Sequence, residues 1–139
     1  MEQSSASLSV APADPWGSEL QQALYRLWLG KRDRGRAMPA WSAIDPIELR
    51  QWLGDLHLLE VIDGGRDFRY RVHGTRIGRQ HGNEMTGKLV SEWPQEIQAR
   101  AFRTYRRVVA TGTPHLVREC EMFERSPRTK HRLVLPFGD

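Results

Sequence analysis

The amino-acid sequence predicts an α+β fold, in which helices pack on one face of an antiparallel sheet. The first indication is a β-hairpin, because the apolar stretch Leu56 to Ile62 is followed by the turn signal Asp63-Gly64-Gly65 and a second alternating stretch. The second indication is a long amphipathic helix that begins near Pro94 and ends at Gly112. Another strand pair follows that helix, so helices and antiparallel strands share one short chain.

Length and composition limit the class of protein. The chain has 139 residues, which suits one compact domain, with 39% hydrophobic and 27% charged residues. No apolar run approaches the roughly 18 residues of a membrane span, so no membrane partner is expected. The single cysteine, Cys120, excludes an internal disulfide and a paired-cysteine zinc site. The N-terminus does not resemble a secretory signal, and we expect a cytoplasmic location.

The N-terminal part of the chain predicts a tail and two helices. Residues 1–14 have the composition of a mobile tail. A helix opening at Asp14 or Pro15 would carry an apolar stripe on one face. That stripe consists of Leu20, Ala23, Leu24, Leu27 and Trp28. The phrase Asp45-Pro46-Ile47-Glu48 is a capping box, and it predicts a short helix to about Leu53.

The strands are predicted from alternation. In the second strand, Phe68 to His73, apolar side chains at 68, 70 and 72 alternate with cationic ones at 69, 71 and 73. One face is therefore expected to be buried and the other, including His73, to be exposed. Short helical turns are expected between Gly74 and Trp93. The last two strands are His115 to Phe123 and Lys130 to Phe137, joined through Ser126-Pro127-Arg128.

Several phrases in this order resemble a PAS domain, and in particular a short bacterial family of PAS-like proteins. The resemblance rests above all on the run Asp67-Phe68-Arg69-Tyr70-Arg71-Val72-His73-Gly74-Thr75-Arg76-Ile77. The phrases Met38-Pro39, Gly82-Asn83-Glu84-Met85-Thr86-Gly87-Lys88 and Leu133-Val134-Leu135-Pro136-Phe137 support it. The match covers residue 20 to the C-terminus. We therefore divide the chain into a tail (1–14), a helical segment (15–54) and a PAS-like domain (55–139).

The resemblance implies a five-stranded antiparallel sheet with strand order 2-1-5-4-3, short helices over one face and a pocket between them. Domains of this kind sense small molecules, redox state or light, or mediate protein contacts. Many dimerise through a helix ahead of the first strand. A homodimer through residues 15–30 is therefore expected, because the apolar stripe lies there.

One departure from the family pattern is a missing fifth strand, which would lie centrally between strands 1 and 4. A gap there would leave backbone groups unpaired, at about 1–3 kcal/mol for each buried group. The chain could be a truncated version of a longer one, or a neighbouring molecule or the tail could fill the gap. Direct pairing of strands 1 and 4 would reject this hypothesis.

Catalytic and metal chemistry are not predicted. The sequence contains no recognisable nucleophile phrase, and the alternation around Cys120 favours a buried small residue over a reactive thiol. The five histidines include no pair at i, i+4 spacing, although sequence leaves open whether they converge in space. No catalytic residue and no metal ligand is therefore assigned, and the sequence identifies no cofactor.

A ligand pocket is the remaining candidate site. The aromatic residues Tyr70, Trp93, Phe102 and Tyr105 could line it, although core packing also explains them. Arg118 shares a predicted strand face with Leu116, so its guanidinium is expected to be buried. It would then meet an internal carboxylate or an acidic ligand.

The function predicted from these observations is sensory or signalling. The chain would be a PAS-like domain without enzymatic activity that binds a small molecule, contacts a signalling protein, or does both. A ligand-free homodimerisation or interaction module is the alternative. A small hydrolase would need a convergent nucleophile and base. Nucleic acid is disfavoured as a partner, because no aromatic residues interleave the exposed arginines of the long helix.

Overall fold

The computed structural model describes residues 18–74, 84–123 and 125–138, and its fold class is α+β as predicted. The helices are α1 (Glu19–Lys31) and α2 (Gln95–Thr111), with 3-10 helices at Trp41–Ala43, Pro46–Asp55 and Val90–Glu92. The strands are β1 (His57–Ile62), β2 (Asp67–His73), β3 (His115–Phe123) and β4 (Ser126–Val134).

The chain divides into two compact units. One comprises the described residues between 45 and 107, and the other comprises those between 18 and 44 together with those between 108 and 138. Each contains one antiparallel hairpin, β1–β2 in the first and β3–β4 in the second. Among the described residues strand pairing lies within each hairpin, and the single sheet expected from the sequence stays a prediction. Pairing of β1 with β4, which would have rejected a missing central strand, is not seen in those ranges.

Helix α1 begins at a strong cap, later than the predicted start at Asp14 or Pro15. The Ser18 hydroxyl accepts from the Gln21 amide at 3.1 Å, and the Gln21 side chain accepts from the Ser18 amide at 2.9 Å. This capping box satisfies two amides that the first helical turn leaves without partners. Trp28 is fully buried, and its Nε1 donates to the Pro136 carbonyl at 2.7 Å. The helix therefore packs against the C-terminal segment.

The helix predicted at Asp45 is present as a 3-10 helix. The Asp45 carboxylate accepts from the Ile47 amide at 3.0 Å, and Glu48 accepts from the Asp45 amide at 2.9 Å. Leu49 and Trp52 face inward and are buried. The capping signal therefore placed the start of this element correctly.

The hairpin β1–β2 contains a bulge that the sequence did not predict. Leu58 pairs with Val72 and Leu59 pairs with Tyr70, so Arg71 has no opposite residue on β1. An extra residue reverses the alternation of side chains beyond it. His73 is therefore buried, 3% exposed, and its predicted place on the exposed cationic face is wrong.

The hairpin β3–β4 is longer than predicted at its turn. Strand β4 begins at Ser126, which pairs with Phe123, rather than at Lys130. The chain reverses with Arg125 at a φ of 67°, so Ser126 and Pro127 belong to the strand and not to the connection. Glu119 forms an ion pair with Arg132, whose Nη2 donates to its carboxylate at 2.9 Å.

Candidate functional site

The candidate site lies in the unit of residues 45–107, on the buried face of β2. Phe68, Tyr70 and His73 point to this face, the first two by alternation and the third because of the bulge at Arg71. His57 is the direct cross-strand partner of His73, so the ladder places two imidazoles side by side. Sequence spacing alone gave no sign that these two histidines meet.

Four rings form what we call the ring cluster: His57, Tyr70, His73 and Trp93. The His57 and His73 ring centroids are 4.6 Å apart, and each ring lies 5.3 Å from the Tyr70 ring. Trp93 closes the group at 6.4 Å from His73. Such edge and tilted contacts favour a rigid arrangement of aromatic groups.

Two predicted site residues, Tyr70 and Trp93, are joined by a buried hydrogen bond. Trp93 Nε1 donates to the Tyr70 hydroxyl at 2.9 Å, which gives the indole N–H an acceptor. The 3-10 helix Val90–Glu92 directly precedes Trp93 and is capped, since the Glu92 side chain accepts from the Leu89 amide at 2.8 Å. The structure therefore brings these two predicted residues together beside the histidine pair.

The other two predicted aromatics, Phe102 and Tyr105, are held by α2 and meet Phe68. The Phe68 ring lies 6.3 Å from Phe102 and 5.5 Å from Tyr105. Because Phe68 and Tyr70 are two positions apart on β2, this aromatic layer continues into the ring cluster. All four predicted aromatics thus lie in one unit. A role for them in ligand contact stays a prediction.

Helix α2 is also fixed to the hairpin turn by Arg106. Its Nε donates to the Gly65 carbonyl at 2.8 Å, and Nη2 donates to the Arg66 carbonyl at 2.8 Å. The guanidinium carbon lies 3.9 Å from the centre of the Phe102 ring. A displacement of α2 would therefore strain or break these hydrogen bonds to the β1–β2 turn.

The polar contacts of His73 indicate which nitrogen of the neutral ring carries the proton. Nδ1 accepts a hydrogen bond from the Met85 amide at 3.3 Å, and the Glu84 carboxylate lies 3.6 Å from the same nitrogen. Because Nδ1 accepts, the neutral ring carries its proton on Nε2. That atom is buried and has no hydrogen-bond partner among the residues that the structure describes.

Burial and charge act on the pKa of His73 in opposite directions. Burial lowers the pKa below 6.5, and the nearby Glu84 carboxylate raises it by a smaller amount. The pKa of Glu84 is held below 4.5, chiefly by hydrogen bonds from the backbone and the hydroxyl of Thr86. At neutral pH the pair is therefore a neutral imidazole beside an ionised carboxylate.

Arg118 does not have the surroundings that the sequence predicted. It lies on β3 in the unit that excludes residues 45–107, and it is exposed. The expected buried guanidinium is therefore wrong: the described residues His115–Glu119 are half-buried or exposed, so neither face of this part of β3 is fully buried. The side chain of Cys120 lies outside the described part of the structure, so its burial stays a prediction.

Metal-ligand clusters and membrane-spanning helices are absent from the described ranges. No group of three or more histidine, cysteine, aspartate or glutamate residues there could hold a metal ion. None of the helices in those ranges has the length and hydropathy required to cross a membrane. A surface cleft lined by Arg36, Ala37, Met38 and Gly138 contains none of the predicted site residues.

The comparisons with known proteins identify the family. A family model described as a PAS domain matches residues 18–138, almost the whole chain. The chain belongs to the PAS domain family. Searches of curated proteins and of solved structures found no match. Membership of the PAS family points to sensing, signalling or protein interaction, and regulation rather than catalysis is the usual role of its members.

Proposed function

We propose that this PAS domain is a sensor that binds a small molecule at the ring cluster and transmits the signal through protein contacts. The observation that supports the proposal is the buried His73 Nε2–H, which has no acceptor among the described residues. Leaving such a donor without a partner costs about 1–3 kcal/mol. A ligand with an oxygen or nitrogen acceptor would remove that cost.

The surroundings of this donor suit a flat, weakly polar ligand. Tyr70 and Trp93 are buried aromatic residues whose polar atoms already bond each other. Ligand sites are commonly apolar and aromatic, with one or two polar groups that fix orientation. The proposed ligand is therefore planar, with its acceptor directed at His73. A guanidinium contact from Arg118 is not part of this proposal, because Arg118 is exposed.

Transmission would pass through α2. A ligand beside Tyr70 changes the packing of β2 next to Phe68, against which Phe102 and Tyr105 pack. Arg106 links that helix to the hairpin turn. A ligand with higher affinity for one helix position would shift the population toward it. A partner surface would then follow the position of α2.

A homodimer through residues 15–30 remains part of the proposal. Within the described part of that segment, Trp28 packs inside its own chain, but Leu20 is 48% exposed on the same stripe. Leu24 and Leu27 are half-buried. This stripe therefore retains apolar area for a second copy, and Leu20→Glu is expected to favour the monomer in light scattering.

The alternative is an interaction module with a filled core. It is favoured by the short distances within the ring cluster, where the two imidazoles lie 4.6 Å apart. In that case His73 Nε2–H would stay without an acceptor, and the packing of the core would offset its cost. The two functions differ in whether the purified protein retains or acquires a small molecule.

Native mass spectrometry of the full chain tests the proposal. We expect a mass above that of the polypeptide, which denaturation returns to the polypeptide mass. His73→Phe should lose the extra mass, whereas Trp41→Phe, at an exposed position in the other unit, should retain it. Circular dichroism checks that both variants are folded. A bare polypeptide mass, with no thermal stabilisation by a metabolite extract, would favour the interaction module.

A further inference from the structure

The outer edge of β2 is covered by a short segment that we call the latch, residues 84–89. The Gly87 amide donates to the Tyr70 carbonyl at 2.7 Å, and the Tyr70 amide donates to the Lys88 carbonyl at 2.9 Å. Arg69 adds a side-chain bond to the Gly87 carbonyl at 2.9 Å. The latch is therefore bound to β2, the strand that carries two of the four rings, Tyr70 and His73.

The N-terminal end of the latch is held by His73. The His73 amide donates to the Thr86 hydroxyl at 3.2 Å, and His73 Nδ1 accepts from the Met85 amide at 3.3 Å. Glu84 is the residue before Met85, and its carboxylate is 3.6 Å from the same Nδ1. His73 Nδ1 therefore has two alternative partners. It can accept from the Met85 amide when the ring is neutral, and it can donate to the Glu84 carboxylate when the ring is protonated.

We propose that the latch is an acid-sensitive switch, in which protonation of His73 exchanges the partner of Nδ1 from the Met85 amide to the Glu84 carboxylate. The proton comes from solvent and adds to Nδ1, while Nε2 keeps its own. The imidazolium then donates to Glu84 Oε1, and the Met85 amide loses its acceptor. This inference goes beyond the proposed ligand binding and requires no ligand.

The groups around His73 include one carboxylate that can accept from the protonated ring. Among the described residues, the titratable groups facing it are His57 from β1, Tyr70 from β2 and Glu84 from the latch. Glu84 keeps its negative charge to a lower pH than an ordinary glutamate, since Thr86 donates to its carboxylate and lowers its pKa.

The direction of the His73 pKa shift limits the pH at which Nδ1 exchanges its partner. Burial places the pKa of His73 below 6.5, and the Glu84 carboxylate opposes that shift. The latch is therefore closed at neutral pH and opens only at a pH below 6.5. The exposed 63% of the Glu84 side chain allows the carboxylate to move toward the ring without a change in the core.

The experiment is a pH titration of the ¹⁵N-labelled full chain by NMR, with amide exchange measured at each pH. Between one unit above and one unit below the His73 pKa, the protonated fraction rises about tenfold. We expect exchange of the Met85 amide, corrected for its intrinsic pH dependence, to accelerate by about the same factor. The Gly65 amide, which bonds Ile62 in the hairpin turn, should show no such change.

Two variants and a control distinguish the switch from general acid destabilisation. Glu84→Gln removes the charged acceptor, so His73 should titrate at a lower pH and the Met85 response should move with it. His73→Gln should abolish the response, and His131→Gln, at an exposed position on β4, should leave it unchanged. If His73→Gln does not fold, the shift in Glu84→Gln alone decides the matter. Met85 exchange that is unchanged while His73 titrates would overturn the proposal, as would an unshifted midpoint in Glu84→Gln.

Discussion

The indole Nε1 of Trp93 donates to the hydroxyl of Tyr70 at 2.9 Å, and both side chains are buried. This bond connects β2 with the turn that precedes α2. It also fixes the two predicted ligand-contacting aromatics relative to each other. Its strength can be measured directly, because either partner can be shortened without changing the backbone.

Tyr70→Phe should destabilise the protein by about 1–3 kcal/mol, because the buried Trp93 N–H loses this acceptor. A double-mutant cycle with Trp93→Phe should give a coupling energy of about 0.5–1.5 kcal/mol in urea denaturation. Additive effects would show that the bond contributes nothing to stability.

Gly74 follows β2 at a point where the backbone passes close to the 3-10 helix Pro46–Asp55. A Cβ there would overlap the Gly54 carbonyl and lie 2.9 Å from the Leu56 nitrogen. Gly74→Ala should therefore destabilise the protein by about 1–3 kcal/mol, since backbone atoms must shift.

Gly30 provides the matched control for that substitution. It lies in α1 with no atom within 4 Å of an added Cβ. Gly30→Ala should stabilise the protein by about 0.5–1 kcal/mol, because alanine has the higher helix propensity. The melting temperatures of both variants test these expectations. A melting temperature of Gly74→Ala equal to that of the wild type would contradict the close backbone contact at Gly74.

Two diagonal ion pairs across the hairpins differ in burial and should differ in energy. Arg132 and Glu119 are 22% and 17% exposed, whereas Arg71 and Glu60 are 57% and 45% exposed. Glu119→Gln should cost about 1–2 kcal/mol, because a partly buried arginine loses its counter-charge. Glu60→Gln should change stability by less than about 0.5 kcal/mol. Equal effects in urea denaturation at low salt would refute the distinction.

Stability should fall as the pH falls below 6.5, because of His73. Burial lowers its folded-state pKa, with Glu84 opposing, so the unfolded chain binds a proton more readily in this range. Above 6.5 both states are neutral at this group, and its contribution to stability is fully present. We expect the free energy of unfolding, measured by urea denaturation between pH 8 and pH 5, to change less with pH in His73→Gln than in the wild type.

Local signals in the sequence predicted the elements well. The capping box at Asp45, the Asp63-Gly64-Gly65 turn and the apolar face of α2 depend on neighbours within a few positions. Such short-range interactions leave a pattern that can be recognised without coordinates. The phrase from Phe68 onward added the PAS family, which the family comparison confirmed.

The sequence by itself therefore determined the fold class, the order of helices and strands, and the aromatic residues of one buried layer. Only the tertiary structure decided which polar side chains join them. The bulge at Arg71 shifts the register by one residue, which turns His73 inward beside His57. Only the structure showed that Arg118 on β3 is exposed rather than buried. Strand alternation has a period of two, so a single unpaired residue exchanges the buried and exposed faces.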